Sequence, residues 1–169
     1  LAKLAVNAHK RHGGRVLILT FNLTLKSYIH DKISEVREAF NWGFFDIINY
    51  HKFMSMSFNM FGKNISRDED IDTYYSDESA FDGCEIEPKY QTILIDEVQD
   101  YKPEWVKIIR KYFLAIDGEM VLFGDEKQNI YEREVDERKM TRTPNGFGAW
   151  QELWRGFRYN DYFMSHLAS

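Results

Sequence analysis

What most constrains this chain is the recurrence of short apolar runs that end abruptly in polar residues and give way to a helical pattern. Val16-Leu17-Ile18-Leu19-Thr20-Phe21 leads into the turn and cap residues Asn22 and Thr24, followed by apolar positions at helical spacing from Leu25 to Phe40. Asp46 to Tyr50 predicts a second short strand, and His51 to Phe61 a helix rich in Met and aromatic residues. Tyr90 to Ile95 and Met120 to Phe123 predict two more strands, separated by a helix near Pro103, a residue suited to a first helical turn. At the start, Leu1, Leu4, Ala5 and Ala8 share a helical face that Gly13-Gly14 brings to a stop. Such alternation predicts an α/β domain, a mainly parallel sheet with flanking helices.

Length and composition narrow the class further. A chain of 169 residues suits one domain with a sizeable core. No stretch approaches the roughly 18 uncharged apolar residues of a membrane-spanning helix, and the opening LAKLAVNAHKRHGG lacks the apolar core of a secretory signal, so no membrane partner is expected. Cys84 is the only cysteine, which excludes an intrachain disulfide and fits a reducing, cytoplasmic setting. The opening on Leu1, already inside a helical pattern, predicts a piece of a longer protein.

The net charge of -5 argues against coating nucleic acid by bulk positive charge. Nine acids lie between Ser66 and Lys89 against only Arg67 and Lys89, which predicts a peripheral acidic insertion at 62–89 with little apolar area to bury. Basic residues gather at Lys3, Lys10, Arg11 and Arg15, and again at Lys102, Lys107, Arg110 and Lys111, as solvated helix faces or local phosphate footprints. The stripe Phe53, Met54, Met56, Phe58, Met60 and Phe61 is expected in the core, and the five histidines show no metal spacing.

In open parallel sheets ligands gather at the carboxyl ends of strands. Three such ends stand out: Thr20-Phe21-Asn22, Asp96-Glu97-Val98-Gln99-Asp100 and Gly124-Asp125-Glu126-Lys127-Gln128. In the second, one acid can hold a hydrated magnesium ion while its neighbour orients water, an arrangement that serves phosphoryl transfer. A turn or helix cap would use the same residue types.

The strings ILIDEVQD and FGDEKQNIY closely resemble motifs II and III of superfamily 1 helicases of the UvrD/Rep type, through Asp96, Glu97, Gln99 and Asp100, then Gly124, Asp125, Gln128, Ile130 and Tyr131. LILTFNLTL resembles motif Ia through Thr20, Phe21 and Asn22. INYHKF resembles the TFHSF-type element through Tyr50, His51 and Phe53. LWRGFR resembles motif IV through Leu153, Phe157 and Arg158. The resemblance implies a partial RecA-like P-loop NTPase domain over 1–152, with 153–169 as a linker or the start of a second motor domain. It implies ATP and Mg2+ as nucleotide and cofactor, and single-stranded DNA or DNA junctions and the remaining helicase domains in cis as partners.

Carried over residue by residue, the resemblance gives Asp96 the magnesium role through water and Glu97 that of the base on the attacking water. Gln128 would sense the terminal phosphate, and Arg158 would approach it as a finger. Thr20, Phe21, Asn22, His51, Tyr131 and Arg133 would meet the single strand, with Phe21 and Tyr131 stacking on bases.

Departures from the family pattern matter as well. Arg133 and Glu134 stand where a tryptophan and an arginine are usual, and Gly156 replaces an asparagine. The short acidic segment takes the place of a separate subdomain. No GxxxxGK[ST] string occurs in these residues, so these 169 residues alone are expected not to turn over ATP, and loss of a P-loop strand is expected to leave two edges unpaired in the middle of the sheet. A non-catalytic binding module derived from a motor is the alternative, and a two-metal nuclease using Asp96, Glu97, Asp100 and Asp125 is a third reading.

Overall fold

The computed structural model describes residues 1–36, 39–63 and 70–124. Helix α1 (Ala2–His12) ends at Gly13, whose left-handed φ of 68° lets its N–H close back onto the His9 carbonyl. Gly14 then passes so close to β3 (Tyr90–Ile95) that an added Cβ would lie 2.4 Å from the Gln91 Cβ. Strand β1 (Val16–Thr20) follows and is buried along its whole length.

Helix α2 (Leu25–Ser34) is shorter than the periodicity suggested. Phe40 lies outside the helix and packs its ring on Trp42 and Phe45, covering the start of β2 (Phe45–Asn49) from a loop. Asn49 closes β2 and caps α3 (Tyr50–Met60), its side chain accepting from the His51 and Lys52 amides, so Tyr50 opens the helix instead of ending the strand. The short α4 (Ile71–Tyr75) lies within the acidic segment. After β3 come a 3-10 turn (Val98–Asp100), α5 (Pro103–Ile108), a π turn (Ile109–Phe113) and β4 (Leu114–Leu122).

The sheet runs β2-β1-β3-β4 with every pairing parallel. Alternate residues of the central strands feed two cores. Leu17, Leu19, Ile93 and Ile95 face α3, α5 and the π turn, while Val16, Ile18 and Leu94 face α1 and α2. The expected unpaired edges inside the sheet do not occur among the described residues, because β3 bonds to β1 on one side and directly to β4 on the other. Strand β4 also begins well before Met120. Its middle carries Asp117, Gly118 and Glu119, which mask the strand in the sequence, and its pairing with β3 shifts register between Tyr90 and Thr92.

The acidic segment departs from expectation as well. Tyr75, Ala80, Phe81 and Ile86 are buried in the α3–α5 core, with Phe81 against Phe58, Phe61, Tyr112 and Phe113. Its acids do not simply repel one another. Asp72 pairs with Lys102, Glu78 with Lys107 and Asp82 with Lys111, so basic residues expected on a solvated helix face or as a phosphate footprint bind the segment. In the Met-aromatic stripe Phe53, Met54 and Phe58 are core, whereas Met56 and Met60 point outward, on the helical face that α3 leaves to solvent.

Candidate functional site

Strand β3 delivers Ile93, Leu94 and Ile95, all fully buried, to an abrupt polar end. Three backbone bonds fix that end from both sides: Asp96 N–H to the Leu19 carbonyl at 2.9 Å, Phe123 N–H to the Ile95 carbonyl at 2.8 Å, and Val98 N–H to the Phe123 carbonyl at 2.8 Å. Between them Glu97 adopts a left-handed conformation with φ 52° and ψ 49°, which disfavours a side chain bearing a Cβ. Strain of this kind survives only where the surroundings over-determine it, and it gathers at functional sites.

The Glu97 carboxylate is held as well as its backbone. Gln99, itself buried, donates from Nε2 to Glu97 Oε2 at 2.5 Å. Asp96 and Glu97 stay half-buried, reachable from the carboxyl edge of the sheet. The first turn of α1 lies within electrostatic reach of Asp96. Among the described residues no group of three or more His, Cys, Asp or Glu could hold a metal by itself. A lone hard oxygen donor of this kind suits magnesium that keeps most of its water and arrives with phosphates.

Beside the acids lies an aromatic rim. Phe21, just past β1, is 37% exposed, with its ring 5.9 Å from His51 and 6.1 Å from Tyr101. Asn49 Nδ2 donates to the Phe21 carbonyl while Asn49 Oδ1 caps α3, so one side chain sets both Phe21 and His51. Tyr101 is buried between rim and acids. Burial, then Asp96 and Asp100, push its hydroxyl far above the usual tyrosine range. Below the rim Tyr50 and Trp105 stack at 4.4 Å.

Of the residues expected at the site, Asp96 and Glu97 come together at the β3 end, and Phe21 and His51 on the rim. Thr20 does not join them. It is fully buried in register with Asn49, its hydroxyl without a hydrogen-bond partner, and offers no surface to a nucleic acid strand. Asn22 is exposed but accepts from the Thr24 amide and hydroxyl, the turn that starts α2. Gln128, Tyr131, Arg133 and Arg158, with Asp125, lie outside the described residues. The sequence reading missed Asn49 and Tyr101, and had Lys102 only as one of a basic cluster. Only Asn49 carried a local signal, an Asn immediately before a helical run.

An all-parallel sheet with flanking helices and adjacent carboxylates at the end of an inner strand is the architecture of a RecA-like α/β domain. Residues 84–140 match the family model of the UvrD/REP helicase N-terminal domain, which supports reading the chain as a UvrD-type helicase fragment. No curated protein and no solved structure matches the chain. Among the described residues no helix is long and apolar enough to cross a membrane.

Proposed function

We propose that the parent of this chain is an ATP-dependent DNA helicase or translocase, cytoplasmic, and that these residues supply its water-activating acid and part of its single-strand path. The observation that carries this reading is the Glu97 carboxylate, fixed by a strained backbone and by Gln99 beside Asp96 at the end of β3. Asp96 would hold magnesium through water. A magnesium ion bound with ATP supplies positive charge to the phosphates. Glu97 would orient the attacking water and take its proton as the water oxygen bonds to the terminal phosphorus and the bond from that phosphorus to the bridging oxygen breaks, releasing ADP, and Gln99 would keep the accepting carboxylate from swinging away. Gln128 would sense the terminal phosphate, and Arg158 would add positive charge there.

The strand would run over the exposed Phe21 and past His51, with Tyr131 and Arg133 continuing the path. Base stacking on an aromatic ring contributes roughly 1–3 kcal/mol per base with little sequence preference. The remaining helicase domains would act in cis. A second reading is a binding module derived from a motor.

Glu97→Gln in the parent tests the motor reading. The amide keeps the shape and loses the basicity, so DNA-stimulated phosphate release should fall by at least about a hundredfold with nucleotide binding nearly intact. Asp96→Ala should weaken magnesium-nucleotide binding too. Hydrolysis near the wild-type rate in Glu97→Gln would show that another group activates the water, whereas a wild-type parent without DNA-stimulated hydrolysis would favour the binding module.

A further inference from the structure

We propose that His51 and Lys102 form a seat for a backbone phosphate of single-stranded nucleic acid, and that the Asp72 carboxylate fills this seat when no strand is bound. The proposal rests on the strand path drawn above and adds to it a cation, Lys102, and an intramolecular competitor, Asp72.

Two donors from different elements converge on one carboxylate. Lys102 Nζ lies 2.9 Å from Asp72 Oδ2, and His51 Nε2 lies 3.6 Å from Asp72 Oδ1. All three side chains are 38–39% exposed, so an incoming anion can reach the donors. Both donors are fixed from behind. His51 sits in the first turn of α3 under the Asn49 cap, its ring 5.1 Å from Trp105, and Lys102 precedes Pro103 at the start of α5 with Nζ 5.3 Å from the Trp105 ring. The Lys102 hydrogen bond, with help from His51, holds the Asp72 carboxyl below its ordinary range, so it is an anion at neutral pH.

The neighbourhood fits a nucleotide strand better than a simple anion. Phe21, the exposed ring of the rim, stands 5.9 Å from His51, which sets a stacking surface beside a phosphate donor. Among the described residues, Lys107 with Glu78 and Lys111 with Asp82 also tie the acidic segment to the region of α5, away from the rim. Among the described residues Asp72 lies between a lysine and a histidine at the rim. Its element, α4, is five residues long and is held by Tyr75 and by Trp105 Nε1, which donates to Ser76 Oγ at 3.0 Å. A carboxylate and a phosphodiester are both anionic acceptors, so the donors can exchange one for the other without rebuilding the rim.

The test is binding of a labelled oligothymidylate to the 169-residue chain, followed by anisotropy across a salt series. Asp72→Asn empties the seat and should tighten binding about two- to fivefold, the range expected for releasing one partly exposed ion pair. It should also steepen the salt dependence. Lys102→Ala should weaken binding and lower the slope of log affinity against log salt by about 0.7. Glu85→Gln makes the same change in net charge at an exposed position of the same segment and should do neither. Equal effects from Asp72→Asn and Glu85→Gln would overturn the seat. Binding that Phe21→Ala weakens but Asp72→Asn and Lys102→Ala leave unchanged would also overturn it, while the strand path stands. No binding by wild type or Asp72→Asn would overturn both.

Discussion

Gln99 and Glu97 grip each other two residues apart, Nε2 donating to Oε2 at 2.5 Å, while the Glu97 backbone sits in the left-handed region at φ 52°. A left-handed residue with a Cβ costs roughly 1–2 kcal/mol, and glycine avoids that at an entropic cost of roughly 0.5–1 kcal/mol. Glu97→Gly should therefore leave the chain as stable or up to about 1 kcal/mol more stable in urea denaturation. Destabilisation above about 1 kcal/mol would mean that the carboxylate, and not the reacting geometry, supports the loop.

The 169 residues alone should release no phosphate from ATP beyond a Glu97→Gln control, since they contain no GxxxxGK[ST] string to supply backbone N–H groups and a lysine to the phosphates. A steady-state assay with magnesium and single-stranded DNA reads this directly. Turnover well above the control would show that another phosphate cradle exists in these residues.

Tyr50 and Trp105 stack with planes 15° apart, and both are almost completely buried. Trp105→Ala removes that ring and the bond to Ser76, and should cost about 3–5 kcal/mol. Trp105→Phe keeps the apolar contact and should cost clearly less. Amide exchange should rise first in 71–76, the segment that Trp105 Nε1 ties down.

Alkali should unfold the chain earlier than an exposed-tyrosine protein. Burial raises the hydroxyls of Tyr50, Tyr90 and Tyr101, with Asp46 adding to the effect at Tyr90 and Asp96 at Tyr101. Their folded values exceed the unfolded one, so this stability is fully present below about pH 10 and is lost as pH rises through the folded values. The expected slope is about 1.4 kcal/mol per pH unit for each tyrosine that stays protonated only in the folded state. Phenolate absorbance should rise together with loss of structure, and ionisation that precedes unfolding would contradict the burial.

Acid should act through Asp72 in the opposite direction. Its folded value is lowered, by Lys102 first, so the small contribution of this ion pair to holding α4 is full above the unfolded value near 3.8 and is lost as pH falls through the folded one, while Tyr75 and Trp105 keep α4 in place. Proteolysis or amide exchange across 70–76 should stay slow to about pH 4 and quicken below it. Asp72→Asn should remove that dependence.

The sequence by itself determined the alternation of strand and helix, the polar ends of β1 and β3, and the pairing of Asp96 with Glu97, because apolar runs and the residues that end them are local properties. The tertiary structure decided what depends on distant partners. Thr20 is polar and follows a strand, yet closure of β2 and β3 around β1 buries it. The acidic segment reads as a solvated excursion because its acids adjoin one another in sequence, whereas Lys102, Lys107 and Lys111, some thirty residues on, neutralise Asp72, Glu78 and Asp82 and let Phe81 enter the core. Lys102 joins His51 only because α3 and α5 pack on the same face of the sheet, a neighbourhood created by chain crossover that no spacing within either helix could encode.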